Sequence, residues 1–209
     1  MPTESDLIAT EAELRAIYGA PKKLAAAART NRLDDLCRRF ISLSPFICIS
    51  SCDAAGSQDV SPRGDHSGFV RVLDERTLAI PDRPGNNKLE TLTNILANPQ
   101  VAVLFVIPGH DETLRISGQA RISRNADLLS QVAVDGKQPR SVILIAIEQI
   151  YPHCGKAFRR ARMRDTVVRP DARPIPSLAA MALAMADICD QRLEDVEAQV
   201  AKSYLTDLY

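Results

Sequence analysis

QVAVLFVIPGHDETLRISGQARI, residues 100–122, decides the fold class. Residues 100–109 are apolar almost throughout, which reads as a strand covered on both faces. Residues 112–122 alternate. Leu114, Ile116, Ala120 and Ile122 fall on one side; Arg115, Ser117, Gln119 and Arg121 fall on the other. The flanking sequence repeats the strand signal. PFICISSC (45–52), the turn-rich DAAGSQD and VSPRG read as a hairpin, and GFVRVLDERTLAIP (68–81) reads as a second one turning at Asp74, Glu75 and Arg76. SVILIAIEQIY (141–151) is the last strong strand. About seven strands joined mostly by short turns, with helices between and around them, favour an antiparallel barrel over a parallel sheet.

Helical patterns flank this core. Residues 4–18 place Leu7, Leu14 and Ile17 as apolar positions before Gly19 and Pro21. LDDLCRRFISLSP puts Leu33, Leu36, Phe40 and Ile41 on one face, and Pro45 stops it. NADLLSQVA (125–133) is a short helix. RPDARPIP (169–176) is a spacer, followed by two helices, the second striped by Leu193, Val196, Val200 and Tyr204. The expected organisation is an N-terminal helical region over 1–44 packed on the barrel, the barrel over 45–168, and the spacer with C-terminal helices over 169–209.

Bulk properties narrow the function. Lys plus Arg, at 26, equals Asp plus Glu, so the formal net charge is zero. That argues against a dedicated nucleic-acid binder, and the cation-rich 156–169 reads as a solvated surface or an anion contact. Five irregularly spaced cysteines and three histidines give no metal-ligand pattern. The cysteines read as reduced thiols in a cytoplasmic protein, with no metal and no membrane partner expected. No carboxylate pair stands out as acid–base machinery. His153 and Cys154 are strand neighbours that point to opposite faces, which suits them poorly as a base and nucleophile.

The chemistry concentrates in PDRPGNNKLETLTNIL, residues 81–96. Asn87 with Glu90 has the spacing of a capping box, and Leu89, Leu92, Ile95 and Leu96 form an apolar face. Arg83 and Lys88 then crowd the positive end of a helix, at a cost of a few tenths of a kcal/mol each. A bound phosphate would reverse that sign, and two side chains extending into water would equally satisfy the residues. Upstream, SPRGD (61–65) sets Ser61 and Arg63 on one face of a strand, a hydroxyl beside a planar fork. Asp65 and Asp82 follow these cations and orient Arg63 and Arg83.

These segments, in order and with their spacing, resemble the pyridoxamine 5'-phosphate oxidase-like flavoproteins. The carrying residues are DVSPRGD, then GFVRVLDERTLAIPDRPGNNKLETLTNILANPQVAVLFVIPG, ETLRISGQARI and YPHCGKAFRRARM. The likeness spans about residues 35–165, and its nearest branch is the probable FMN-dependent enzymes that share Ser-Pro-Arg-Gly and Pro-Gly-Asn-Asn motifs. It implies a split β-barrel binding FMN at a homodimer interface. Ser61, Arg63 and Gly64 would lie beside the flavin, and Arg83, Asn86, Asn87 and Lys88 would serve its phosphate end. Gln119 and Arg121 would reach the cofactor or the partner. His153, Cys154 and Lys156 would approach the ring or the substrate space from the other subunit. Arg164 stands where such proteins often carry an aromatic, which bears on the substrate more than on the cofactor. The implied activity is an oxidoreductase acting on a small organic substrate. A non-enzymatic flavin carrier or sensor needs the same contacts. No side chain is singled out as the chemical catalyst.

Overall fold

A computed structural model of the chain describes residues 3, 6–164, 176–186, 190–206 and 208. Helices α1 (Glu11–Tyr18), α2 (Lys23–Ala27) and α3 (Asp35–Leu43) lead into strands β1 (Phe46–Cys52), β2 (Gln58–Gly64), β3 (Arg71–Val72) and β4 (Thr77–Pro81). Helix α4 (Glu90–Ala97), strands β5 (Gln100–Val106) and β6 (Thr113–Ser123), helix α5 (Ala126–Gln131) and strand β7 (Val142–His153) follow. Helices α6 (Lys156–Arg160), α7 (Leu178–Ala186) and α8 (Leu193–Thr206) come last.

The strands form one seven-stranded sheet in the order β2-β1-β5-β6-β7-β4-β3, with every pairing antiparallel. This is the split β-barrel. Alternation sorts its two faces. One register row runs Ser61–Ile49–Val103–Ile116–Ile150 and buries its apolar members in the core. The adjacent row, Pro62–Cys48–Leu104–Arg115–Tyr151, points outward. β6 and β7 slip register between Ser117 and Gly118. There a Cβ on residue 118 would stand 2.0 Å from the Ala146 carbonyl oxygen, so the close strand approach admits only glycine.

Although β2 and β4 sit at far places in the sheet order, the curl brings their ends together. Asp65, just past β2, pairs with Arg83, just past β4, at 2.7 Å between Oδ2 and Nε. The seam they close is where the candidate site lies. Helix α4 is fastened nearby by polar contacts. Asn94 Nδ2 donates to Ser51 Oγ at 3.0 Å, and Asn98 Nδ2 to Cys52 Sγ at 3.0 Å.

Several expectations need correction. β5 is buried on one face only, with Ala102 exposed on the other, because the outer row of the sheet is open in this chain. α1 starts at Glu11, capped by Thr10 and Glu13, and Leu7, Leu14 and Ile17 are exposed. On α3, Leu36 is exposed while Ile41 is buried. On α4, Ile95 and Thr91 are buried, whereas Leu89 precedes the helix and both it and Leu96 are exposed. Helices α7 and α8 pack on each other, tied by Ser177 Oγ donating to Glu197 Oε1 at 2.7 Å. Of the expected spacer, only Pro176 falls among the described residues. Cys189 also lies outside them.

Candidate functional site

A cavity of about 400 Å³ opens at the seam. β2 supplies Ser61, Arg63 and Gly64, the loop after β4 supplies 82–87, the start of α4 supplies 89–92, and Arg140 reaches in from just before β7. Ser61 and Arg63 share a face as their spacing predicts, and Arg63 Nη1 donates to Ser61 Oγ. The same nitrogen donates to the Pro62 carbonyl at 3.0 Å.

Arg83 is held rather than free. Its Nε donates to Asp65 and its Nη2 donates to the Val132 carbonyl at 2.9 Å. The Asp65 side chain is 0% exposed and that of Arg83 is 12% exposed, so the pair is buried. Asp65 also accepts from the His66 backbone N–H at 2.7 Å, and its Oδ1 lies 2.8 Å from His66 Nδ1. Asp82 does not orient Arg83. It stands near Arg63 and Arg140. Burial raises its carboxyl above the ordinary aspartate value, and those two guanidiniums oppose the rise.

The helix start differs from the expected capping box. Asn87 is left-handed, at φ 58°, and so is Leu89, the residue preceding the helix, at φ 61°. Asn tolerates that conformation better than Leu does. The detour delays the helix to Glu90 and turns the Asn87 side chain away from capping it. Asn87 Oδ1 instead accepts from Arg140 Nη1 at 3.4 Å. Among the described residues no side chain caps α4, so its first N–H groups keep their capacity to bind something else at the cavity wall. Asn86 Oδ1 accepts from the Lys88 backbone N–H at 3.0 Å and shapes this loop. The Lys88 side chain is not part of the cavity lining, and Glu90 lines it as an acidic member.

The remaining candidates stand elsewhere. By register, Gln119 and Arg121 lie on the outward face of β6, and Gln119 Nε2 donates to Glu148 Oε1 at 2.8 Å. His153 and Cys154 line a second cavity, of about 440 Å³, on the outer face of the sheet. Lys156 opens α6 and is exposed. Arg164 Nε pairs with Asp111 Oδ1 at 2.8 Å, and Arg159 Nε pairs with Oδ2 of the same buried carboxylate at 2.8 Å. Thus Ser61, Arg63, Gly64, Arg83, Asn86 and Asn87 come together. Gln119, Arg121, His153, Cys154 and Lys156 do not join them within one chain. Sequence reasoning missed Arg140, which lies far along the chain from Asn87 and carries no motif of its own.

Residues 33–154, more than half of the chain, match the family model described as pyridoxamine 5'-phosphate oxidase. The chain belongs to that family. No curated protein sequence matches it. Among solved structures it is similar to HupZ from Group A Streptococcus, with 18% identity, TM-score 0.47, 56% of this chain and 91% of that one covered. It is also similar to an FMN-binding protein from Syntrophomonas wolfei, with 12% identity, TM-score 0.43, 68% and 93% covered. A third is the FAD binding protein from Mycobacterium smegmatis, with 16% identity, TM-score 0.42, 59% and 97% covered. At these identities and scores the likenesses carry no conclusion about what this chain binds.

Proposed function

We propose that the protein is a flavoprotein that binds FMN at the seam cavity and serves as an oxidoreductase on a small organic substrate. The observation that carries this is the convergence of Arg63, Arg140 and the uncapped start of α4 on one cavity. Backbone N–H groups at a helix start and two guanidiniums make a phosphate site. The cavity volume lies within the range of cofactor pockets. Two left-handed residues, Asn87 and Leu89, at the same place represent local strain of the kind that collects at binding sites. Family membership supports the cofactor class. Bound FMN would supply the redox chemistry, and the chain's residues hold, orient and shield it.

Arg63 and Arg140 would hold the phosphate end, with Arg83 fixed beside them by Asp65. Ser61 and Gly64 would border the ring. His153 and Cys154 line the second cavity and not this one, so within one chain they do not complete this site. A homodimer in which a second copy brings them completes it, and this reading takes the protein to be such a dimer.

Titration with FMN, followed by flavin fluorescence, tests the reading. Arg63→Ala and Arg140→Ala should each weaken FMN binding about tenfold or more, the loss of one charge-assisted hydrogen bond. Mixing Arg63→Ala chains with His153→Ala chains should restore binding in mixed dimers, because one of their two sites is then intact. Unchanged affinity in both arginine variants refutes the site. Failure of mixing to restore binding refutes the shared dimer site.

A further inference from the structure

The outer-face cavity has a chemistry of its own. Cys48, Leu104 and Phe158 give it an apolar body, and Arg115, Tyr151 and His153 gather at a polar end. Arg115 Cζ stands 4.8 Å from the centre of the Tyr151 ring. Arg29 Cζ stands 5.2 Å from the same ring centre. Arg29 is carried there by its neighbour Thr30, whose N–H donates to the Ile150 carbonyl at 3.0 Å and whose carbonyl accepts from the Ile150 N–H at 2.7 Å. One tyrosine therefore orders two guanidiniums, one lining the groove and one beside it.

Among the described residues, neither Arg29 nor Arg115 has a carboxylate partner. The acidic groups on nearby strands and turns are engaged elsewhere. Asp111 holds Arg159 and Arg164, Glu112 pairs with His110 at 3.2 Å, and Glu148 accepts from Gln119. Two stacked forks without counter-charge, at the end of an apolar groove, match a molecule with an anionic head and an apolar body.

We propose that this groove binds a small organic anion, its carboxylate or phosphate held by Arg115 with Arg29 flanking, and its apolar part lying over Cys48, Leu104 and Phe158. The proposal stands on the groove's own residues. If the flavin reading also holds, a second copy presents this groove with His153, and the bound anion is the reactant.

The test titrates the full chain with benzoate, phenyl phosphate and neutral benzamide, read by calorimetry and saturation-transfer NMR. FMN is held in saturating excess so that the seam cavity does not compete, and FMN affinity is read separately from its own fluorescence. The expected result is binding of an anion in preference to benzamide, weakened about tenfold or more by Arg115→Gln and to a smaller extent by Arg29→Gln. Arg76→Gln, in the β3–β4 turn and outside the groove lining, should leave it unchanged. The preferred anion distinguishes a carboxylate from a phosphate substrate. Should Arg115→Gln fail to fold by circular dichroism, Arg115→Lys keeps the charge without the fork and should still weaken binding. Benzamide binding as tightly as benzoate, anion binding undiminished in the Arg115 variant that folds, or no anion binding at tens of millimolar overturns the proposal. Anion binding that persists where FMN fails to bind sinks the flavin reading alone.

Discussion

Replacing Asp65 with Asn should open the barrel seam. The substitution keeps the size of the side chain and leaves an oxygen to accept from the His66 N–H. It removes the charge opposite Arg83, whose side chain is only 12% exposed. Breaking a buried ion pair by removing one partner costs about 3–5 kcal/mol, because the surviving charge stays out of water. The Val132 carbonyl continues to accept from Arg83, so the low end, about 3 kcal/mol, is expected. For a chain of this length that is a fall of roughly 6–12 °C in Tm, a large share of a typical domain's stability. Thermal and urea unfolding followed by circular dichroism read it directly. Adding Arg83→Met removes the cation that lost this carboxylate and should recover at least about 1 kcal/mol. A loss below about 1 kcal/mol in Asp65→Asn, or a double variant no more stable than the single, would refute the idea that this pair closes the seam.

Gly118→Ala drives a methyl group against the Ala146 carbonyl oxygen and should cost about 3 kcal/mol in urea unfolding. A cost near zero would show that β6 and β7 can part there. The raised Asp82 carboxyl has a defined sign. Its folded value lies above its unfolded one, so its contribution is most favourable below the unfolded value and is lost as pH rises through the folded one. Asp82→Asn should therefore gain Tm relative to wild type at about pH 7 but not at about pH 3. An equal effect at both values contradicts the assignment. Burial, helped by Asp34, pushes the Cys37 thiol up to about 11, whereas Cys154 is exposed. Iodoacetamide at neutral pH should label Cys154 well before Cys37, as mass spectrometry of peptides would show.

The sheet was legible because strand periodicity is local. Leu114 to Ile122 alternate within one segment, and the turn at Asp74–Arg76 announces its hairpin by its own residues. Ser61 and Arg63 were legible for the same reason, two residues apart on one strand. What escaped depends on closure of the barrel. Arg140 meets Asn87 only because the residues just before β7 run beside those just after β4; the Asp82 N–H donates to the Ser141 carbonyl at 3.0 Å. Asp65 takes Arg83 instead of its near neighbour Arg63 because the seam sets them side by side. The capping box was misplaced because Asn-x-x-Glu spacing assumes a right-handed entry, and Asn87 and Leu89 enter left-handed. Gln119 shares a strand with true core residues, yet its outward face leads it to Glu148 and away from the seam. The pairing of Asp111 with Arg159 and Arg164 joins a loop to α6 and the turn after it, more than forty residues on, which local pattern does not encode.

The affinity of the wild-type chain for FMN compared with riboflavin bears most directly on the account. The two ligands share the ring and differ in the phosphate that Arg63, Arg140 and the start of α4 are argued to hold. Two charge-assisted hydrogen bonds of about 1.5 kcal/mol each predict that FMN binds about a hundredfold tighter. Equal affinities, or no binding of either, would contradict it.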